Sequence, residues 1–415
     1  MAKTLVYQMY PIAWEDVHTK EHREWENAIY MMAEHLKRVK ELGADYVWLS
    51  PFYPSPRCDY GYDITDYQDV DPRLGSLADI DSFIATAHNL GLKVLFDLVL
   101  NHTSTDHPWF EEHPEYYCWS DRDRKGWKNL FDGRSAWSYL PDKRQYYLHM
   151  FSKNQADLNW FPDGDDGEPN QDLVYEFQRI IGYWSELFGV DGFRLDIPQA
   201  INKDFSAKNQ ELGDLLFGEK ALDVINAVFD GYGSQFIIME CMDPTGGELV
   251  DHYVNNTPVD FVLNMIIKDE IAKVSYVDIA RTIGSYTRNP ALMLDLENHD
   301  SPRLPSRLGV GAEDCVWWIF NSNAKGICLY QGQELGLKNP TKQELPNDLM
   351  LELDVQTAMW HAAGESLDEL RPTSRANARI PIPLAEYDRQ EQDPSSYLNL
   401  TKDWVKRWKM VNFVK

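Results

Sequence analysis

"AIYMMAEHLKRVKELGADYVWLSP", residues 28–51, holds the unit from which the chain is built. Ile29, Met32, Ala33, Leu36 and Val39 recur three and four apart, the spacing of one apolar helix face. Gly43 follows where such a helix would stop, since a helix C-terminus favours a left-handed residue. The run "ADYVWLSP" then fits a short buried strand. The same order returns in "IDSFIATAHNLGLKVLFDLVL" (80–100), with its stop at Gly91, and in "VYEFQRIIGYWSELFGVDGFRLDI" (174–197), with its stop at Gly189. Helix, glycine and apolar strand in repetition predict a parallel sheet covered by helices on both faces.

Five further apolar runs read as strands: "TLVYQMYP" (4–11), "QFIIMEC" (235–241), "PVDFVLNM" (258–265), "ALMLDLENHD" (291–300) and "GICLYQGQE" (326–334). With the first three they make eight. Eight strands separated by helical stretches predict an α/β fold of the (β/α)8 TIM barrel type rather than an open doubly wound sheet. No G-x-G-x-x-G or G-x-x-x-x-G-K-[ST] follows any strand, which removes the usual nucleotide-binding readings. One connection breaks the pattern: roughly seventy residues after "FDLVL" lack helical periodicity and are dense in Trp, Tyr and Phe. We therefore expect a barrel from 1–100 and 160–415, with 101–159 as an inserted subdomain whose aromatics form a small core or line a cleft.

The formal charge is −26, so a polyanion would be repelled; nucleic acid and anionic membrane are excluded as expected partners. No apolar stretch is long enough to span a bilayer, and "MAKTLVYQMYP" lacks the length of a signal core, so a soluble cytoplasmic protein is expected. Five scattered cysteines without a C-x-x-C pair argue against a disulfide framework and a zinc site.

Reacting groups of a barrel enzyme sit at the C-terminal ends of strands. Here the third strand carries Asp97 and runs into Asn101 and His102; the fourth carries Arg194 and Asp196; the fifth ends in Glu240; the seventh ends in His299 and Asp300. Taken singly, each has a plain structural reading as a cap, a turn residue or an ion pair. Three carboxylates at one rim would repel one another and lose hydration, a cost that function explains better than folding does.

The strand ends also resemble a known family. "FDLVLNHTS", "GFRLDI", "IIMECMD" and "LENHDSPR" are similar, in order and in strand, to the four signatures of the α-amylase family, glycoside hydrolase family thirteen. "QADLNW" (155–160) and "GYDITDY" (61–67) resemble the further signatures of its oligo-1,6-glucosidase and α-glucosidase branch, and "YQGQELGLKN" and "SRANARIP" carry the likeness to about residue 383. The resemblance implies a retaining glycosidase, which needs two carboxyls roughly 5–5.5 Å apart. It assigns Asp196 as nucleophile and Glu240 as general acid/base, with Asp300 as the third carboxyl bracing the sugar. Arg194 next to Asp196 favours ionisation, and Glu240, with no neighbouring cation in sequence, is expected to hold its proton longer. His102 and His299 are implied to bond sugar hydroxyls, and Tyr62 to stack on the terminal glucose. Asp63 is implied to pair with Arg379 and close the pocket, while Asp97 and Asn101 support.

A closed pocket predicts exo action on short, neutral α-linked oligosaccharides or disaccharides. In this branch a valine after the nucleophile goes with α-1,6 preference, so the resemblance implies that the β-branched Ile197 leans toward α-1,6 linkages. The chain departs from the branch in four places. The first βα loop (13–27) lacks a D-x-N-x-D-G run, so no calcium, and no other metal or cofactor, is expected. Ala156 stands where the branch usually has proline, the usual "MQW" does not follow "NARIP", and no C-terminal β-sandwich is expected. Two rivals remain: a glucosyltransferase or sucrose isomerase using the same intermediate, and a non-catalytic binding or scaffold homologue.

Overall fold

The structure, a computed structural model, describes residues 3–17, 27–130, 133–164, 167–309, 311–340, 379–380 and 382–410. Eight parallel strands close into a barrel: β1 (Thr4–Met9), β2 (Tyr46–Leu49), β3 (Lys93–Leu98), β4 (Gly192–Leu195), β5 (Phe236–Cys241), β6 (Phe261–Asn264), β7 (Leu292–Asp295) and β8 (Gly326–Tyr330). Each predicted strand is present, and the strand order around the barrel follows the sequence. Among the described residues no β-sandwich follows the barrel.

The helix of residues 28–42 shows why the pattern works. Asn27 caps its start by accepting from the Tyr30 amide, and Gly43 ends it at φ 100°, a backbone angle that glycine adopts without strain. Ile29, Met32, Leu36 and Val39 are buried as the spacing predicted; Ala33 is only half-buried, and His35 is buried on the same face. The helix Leu77–Asn89 starts with a reciprocal capping box between Ser76 and Asp79.

By compactness the chain divides into two units: residues 1–50, 73–94 and 263–415, and residues 51–72 and 95–262. In the first, β1 lies between β8 and β2, with Gln8 opposite Tyr330 on one side and Trp48 on the other. In the second, β4 lies between β3 and β5, with Arg194 opposite Asp97 and Ile238. Gly192 lets β4 approach β5: a Cβ there would lie 1.9 Å from the Phe236 carbonyl oxygen.

The segment 101–159 contributes an antiparallel pair, His102–Ser104 with Gln155–Asp157, and a three-stranded sheet of Trp119–Ser120, Gln145–Leu148 and Trp137–Leu140. Trp127, Trp137, Leu148 and Met150 pack into a small core that Leu215 joins and Phe205 flanks. Asn209–Gln210 also pairs with Gly126–Trp127. The compact unit that holds this segment therefore runs well past residue 159, because its core needs apolar side chains from the chain after β4.

Candidate active site

Strand alternation puts Arg194 on one face of β4 and Phe193 and Leu195 on the other, and Asp196, immediately after the strand, continues the Arg194 side. Arg194 Nη1 donates to Asp97 Oδ1 (2.9 Å) and to Asp196 Oδ1 (2.5 Å), while Nη2 donates to Glu240 Oε2. Tyr62 donates its hydroxyl to the other oxygen of Asp97 at 3.0 Å, and its ring lies 5.8 Å from the guanidinium. Arg194 is 1% exposed and Asp97 0%, against 8% for Asp196 and 7% for Glu240. The arginine and its strand neighbour are sealed in; the two carboxyls expected to react keep an open edge.

Electrostatics follow from that layout. Burial alone would lower the Arg194 pKa, but Asp97, Tyr62, Glu240 and Asp196 together hold it well above its ordinary value. Burial pushes Asp97 up to about 6, against the pull of Arg194. Three carboxyls share one cation, so the cluster favours keeping a proton among them. One expectation changes here: Glu240 has a cationic partner after all, since Arg194 reaches across from the neighbouring strand.

A second network supports this one. Lys203 Nζ donates to Asn101 Oδ1 (2.6 Å) and lies 3.1 Å from Asp157 Oδ2, with both carboxylate and ammonium buried. The His102 ring nitrogens lie 3.1 Å from Asn101 Nδ2 and 3.0 Å from Gln155 Nε2, and Gln155 Nε2 also donates to Asp59 at 2.9 Å. Burial lowers the His102 pKa. The sequence reading missed Asp59, Gln155 and Lys203. Asp59 stands three residues before Tyr62 in "CDYGYD", and Gln155 opens the quoted "QADLNW", so both were visible as neighbours of recognised motifs.

Asp63 bonds within its own loop. Its Oδ1 accepts from Ser55 Oγ (2.7 Å) and the Asp59 amide (3.1 Å), and its Oδ2 from the Cys58 amide (2.7 Å). The carboxylate is fully buried and shapes its own loop, in which Arg57 (φ 63°) and Tyr60 (φ 47°) hold left-handed conformations. Arg57 is itself fixed by Asp71 at 3.0 Å.

In the first unit, Arg379 Nη2 donates to Asp300 Oδ1 at 2.9 Å and its Nε to the His299 carbonyl at 3.1 Å. His299 Nε2 lies 3.0 Å from Asp300 Oδ2, and its Nδ1 lies 2.8 Å from Gln8 Nε2. The His299 ring stacks on Tyr10 with centroids 5.5 Å apart. Arg379 is thus the partner of Asp300. Most of the first βα loop and most of "SRANARIP" lie outside the described residues. Among the described residues no group of three or more His, Cys, Asp or Glu is arranged to hold a metal ion.

The profile "Alpha amylase, catalytic domain" matches residues 8–404. The chain belongs to the α-amylase family. This α-amylase family chain is similar to the trehalose-6-phosphate hydrolase of Bacillus subtilis (strain 168), at 31% identity over 92% of this chain and 73% of that one. It is similar to the oligo-1,6-glucosidase of Parageobacillus thermoglucosidasius, at 30% identity over 92% and 74%. Among solved structures it resembles the trehalose-6-phosphate hydrolase of Bacillus licheniformis, with a TM-score of 0.82, 27% identity and coverage of 99% and 84%. The chain is a family-thirteen enzyme of the oligo-1,6-glucosidase and α-glucosidase-like branch. It acts on α-glucosidic bonds with retention, through a covalent intermediate on an aspartate, a mechanism shared by the family's hydrolases and isomerases. Its substrate is a carbohydrate. Among the described residues no helix is long and apolar enough to cross a membrane.

Proposed function

We propose that this enzyme hydrolyses short, neutral α-glucosides from the non-reducing end, with Asp196 as nucleophile and Glu240 as general acid/base. The observation that carries the assignment is the single buried guanidinium of Arg194, which bonds both carboxyls while leaving them the open members of the cluster. Asp196 attacks the anomeric carbon as Glu240 gives its proton to the departing oxygen. Water then attacks the glucosyl ester, Glu240 takes the proton of that water, and Asp196 leaves as a carboxylate. Asp300, held by Arg379 and facing His299 Nε2, is the third carboxyl that steadies the distorted sugar. Tyr62, fixed by Asp97, is the stacking platform, and His102 and His299 bond hydroxyls. Asp59 joins Arg379 among the sugar-contacting candidates; Asp63 acts on the loop instead.

Ile197 favours α-1,6 bonds in this reading. We also keep 101–159 as a subdomain inserted in a barrel of 1–100 and 160–415. Five free thiols fit a reducing compartment and support a cytoplasmic site. The test is turnover of maltose, isomaltose, sucrose, trehalose and trehalose 6-phosphate, with the released anomer followed by NMR. Glucose appearing first as the α-anomer, fastest from isomaltose, is the expected result; the β-anomer appearing first would overturn the assigned roles.

A further inference from the structure

We propose that Gln199 is a positioning residue that sets the spacing of the two reacting carboxyls; the inference rests on the assignment of Asp196 and Glu240 above. The backbone ladder between β4 and β5 pairs Leu195 with Met239 as its last rung. Asp196 and Glu240 come immediately after that rung. Arg194 holds both carboxyls by their side chains; a tie between the two backbones beyond that rung has to come from farther along the chain.

Gln199 stands three residues beyond Asp196 and is fully buried. Its Oε1 accepts from the Met242 amide at 2.7 Å, two residues beyond Glu240. Its Nε2 donates to the Met242 carbonyl at 3.3 Å and to the Leu216 carbonyl at 3.0 Å. One side-chain amide thus satisfies both polar groups of one backbone residue, as a neighbouring strand would. The two contacts also fix which end of the amide is oxygen. The clamp continues the β4–β5 pairing past the point where the backbones stop making it.

The turn between Asp196 and Gln199 needs such an anchor. Ile197 has φ 24°, inside the left-handed region, where a β-branched side chain is strained and persists only when its surroundings hold it. Asn202 ties the far side of the same turn, donating to the Leu215 carbonyl and accepting from the Ala221 amide, each at 2.8 Å. Those bonds secure the turn to the chain after β4. Gln199 carries the link to the Glu240 end. A loosened clamp lets Glu240 drift from the leaving oxygen, and a displacement of about 1 Å at a reacting group costs on the order of a hundredfold.

The experiment compares leaving groups. Gln199→Met keeps the side-chain length and loses all three bonds, and Gln199→Glu keeps an acceptor for the Met242 amide. Kinetics are measured on methyl α-glucoside, which needs a proton on its departing oxygen, and on 2,4-dinitrophenyl α-glucoside, which does not. Gln199→Met is expected to lower kcat/KM for the methyl glucoside by about tenfold to a hundredfold and for the dinitrophenyl glucoside by less than about threefold. Gln199→Glu is expected to recover toward wild type, pH by pH, as acid protonates its carboxyl and restores a donor. Equal losses on both substrates, no loss, or a Gln199→Glu defect unchanged by pH would each overturn the clamp. Glu240→Gln serves as reference. If it shows no steeper dependence on the leaving group, the acid/base assignment fails; if it does and Gln199→Met does not, only the clamp fails.

Discussion

Two buried clusters of ionisable groups, one in each compact unit, meet burial in different ways. In the second unit Arg194 gathers Asp97, Asp196 and Glu240, and its pKa stays well above the ordinary value because those carboxyls outweigh its burial. In the first unit Tyr7 donates to Glu334 Oε1 at 2.6 Å, and His35 packs 5.1 Å from Tyr387 and 5.3 Å from Trp14. Burial pushes Glu334 up to about 7 and His35 down to about 3. Among the described residues neither ring nitrogen of His35 has a hydrogen-bond partner. Burial by itself drives ionisable groups neutral. A cation aimed at buried carboxyls favours their charged form, and of these two clusters the second is the one whose carboxyls bond an arginine. Burial of ionisable residues therefore does not separate an active site from a core. Pairing alone does not either, since Arg303 and Glu297 form a buried pair at 2.7 Å in the first unit. The second cluster differs in having three carboxyls on one arginine.

The sharpest way to break the contrast is to remove a charge from the second cluster. Asp196→Asn is expected to lower kcat by about 10⁴-fold or more, because a carboxamide cannot form the covalent intermediate. Its melting temperature should stay within a few degrees of wild type. Turnover close to wild type would remove the nucleophile from the scheme. Arg194→Met tests the same cluster from the other side. Three carboxyls then lose their cation, and stability at neutral pH should fall by about 3–5 kcal/mol in urea denaturation, with partial recovery in acid as the carboxyls protonate. A loss under about 1 kcal/mol would mean that solvent, not Arg194, keeps those carboxyls charged.

The first cluster makes the opposite forecast for pH. The His35 pKa in the folded chain lies below its ordinary 6.5, so its contribution is complete above 6.5 and is lost as pH falls toward 3. The Glu334 pKa lies above its ordinary 4.5, so its contribution is complete below 4.5 and is lost as pH rises through about 7. Between about 4.5 and 6.5 the two slopes oppose each other, and stability should be nearly flat with respect to this pair. His35→Met removes one slope. Its stability should then decline steadily from pH 4.5 to 7, by on the order of 2–3 kcal/mol relative to the wild-type profile. Parallel profiles for variant and wild type would show that His35 is already charged or solvated in the folded chain.

Which parts of this contrast were legible in the sequence depends on how far each depends on neighbours distant in the chain. All eight strands could be read, since an apolar run between a helix-ending glycine and a polar turn has few other uses. The carboxyls at the strand ends could be read as well, because a barrel exposes that rim whatever its loops do. The contact from Arg194 to Glu240 could not, as it crosses from one strand to the next and leaves no trace in local spacing. His35 sits on the buried face between Met32 and Val39, but a histidine among those apolar positions gives no sign of lying among aromatics. Gln199 and Lys203 look like ordinary polar residues after a strand; only the fold shows that one binds Met242 and the other Asn101.

Asp63 gives the smallest and most discriminating forecast, because the motif around it was recognised from the sequence while its bonds within the loop were not. Its three accepted bonds all come from residues 55–59, and they hold a loop in which two non-glycine residues are left-handed. That loop presents Tyr62 to Asp97 and Asp59 to Gln155. Asp63→Asn keeps the size of the side chain but exchanges one acceptor for a donor facing a backbone N–H, a mismatch of about 1–3 kcal/mol. Only the part of that cost that loosens the loop reaches the substrate. The expected result is a KM for short α-glucosides raised about threefold to tenfold, with kcat changed by less than about threefold, since neither reacting carboxyl moves. A fall in kcat at unchanged KM would place Asp63 with the reacting groups, and the loop would then lose its separate role in holding the sugar.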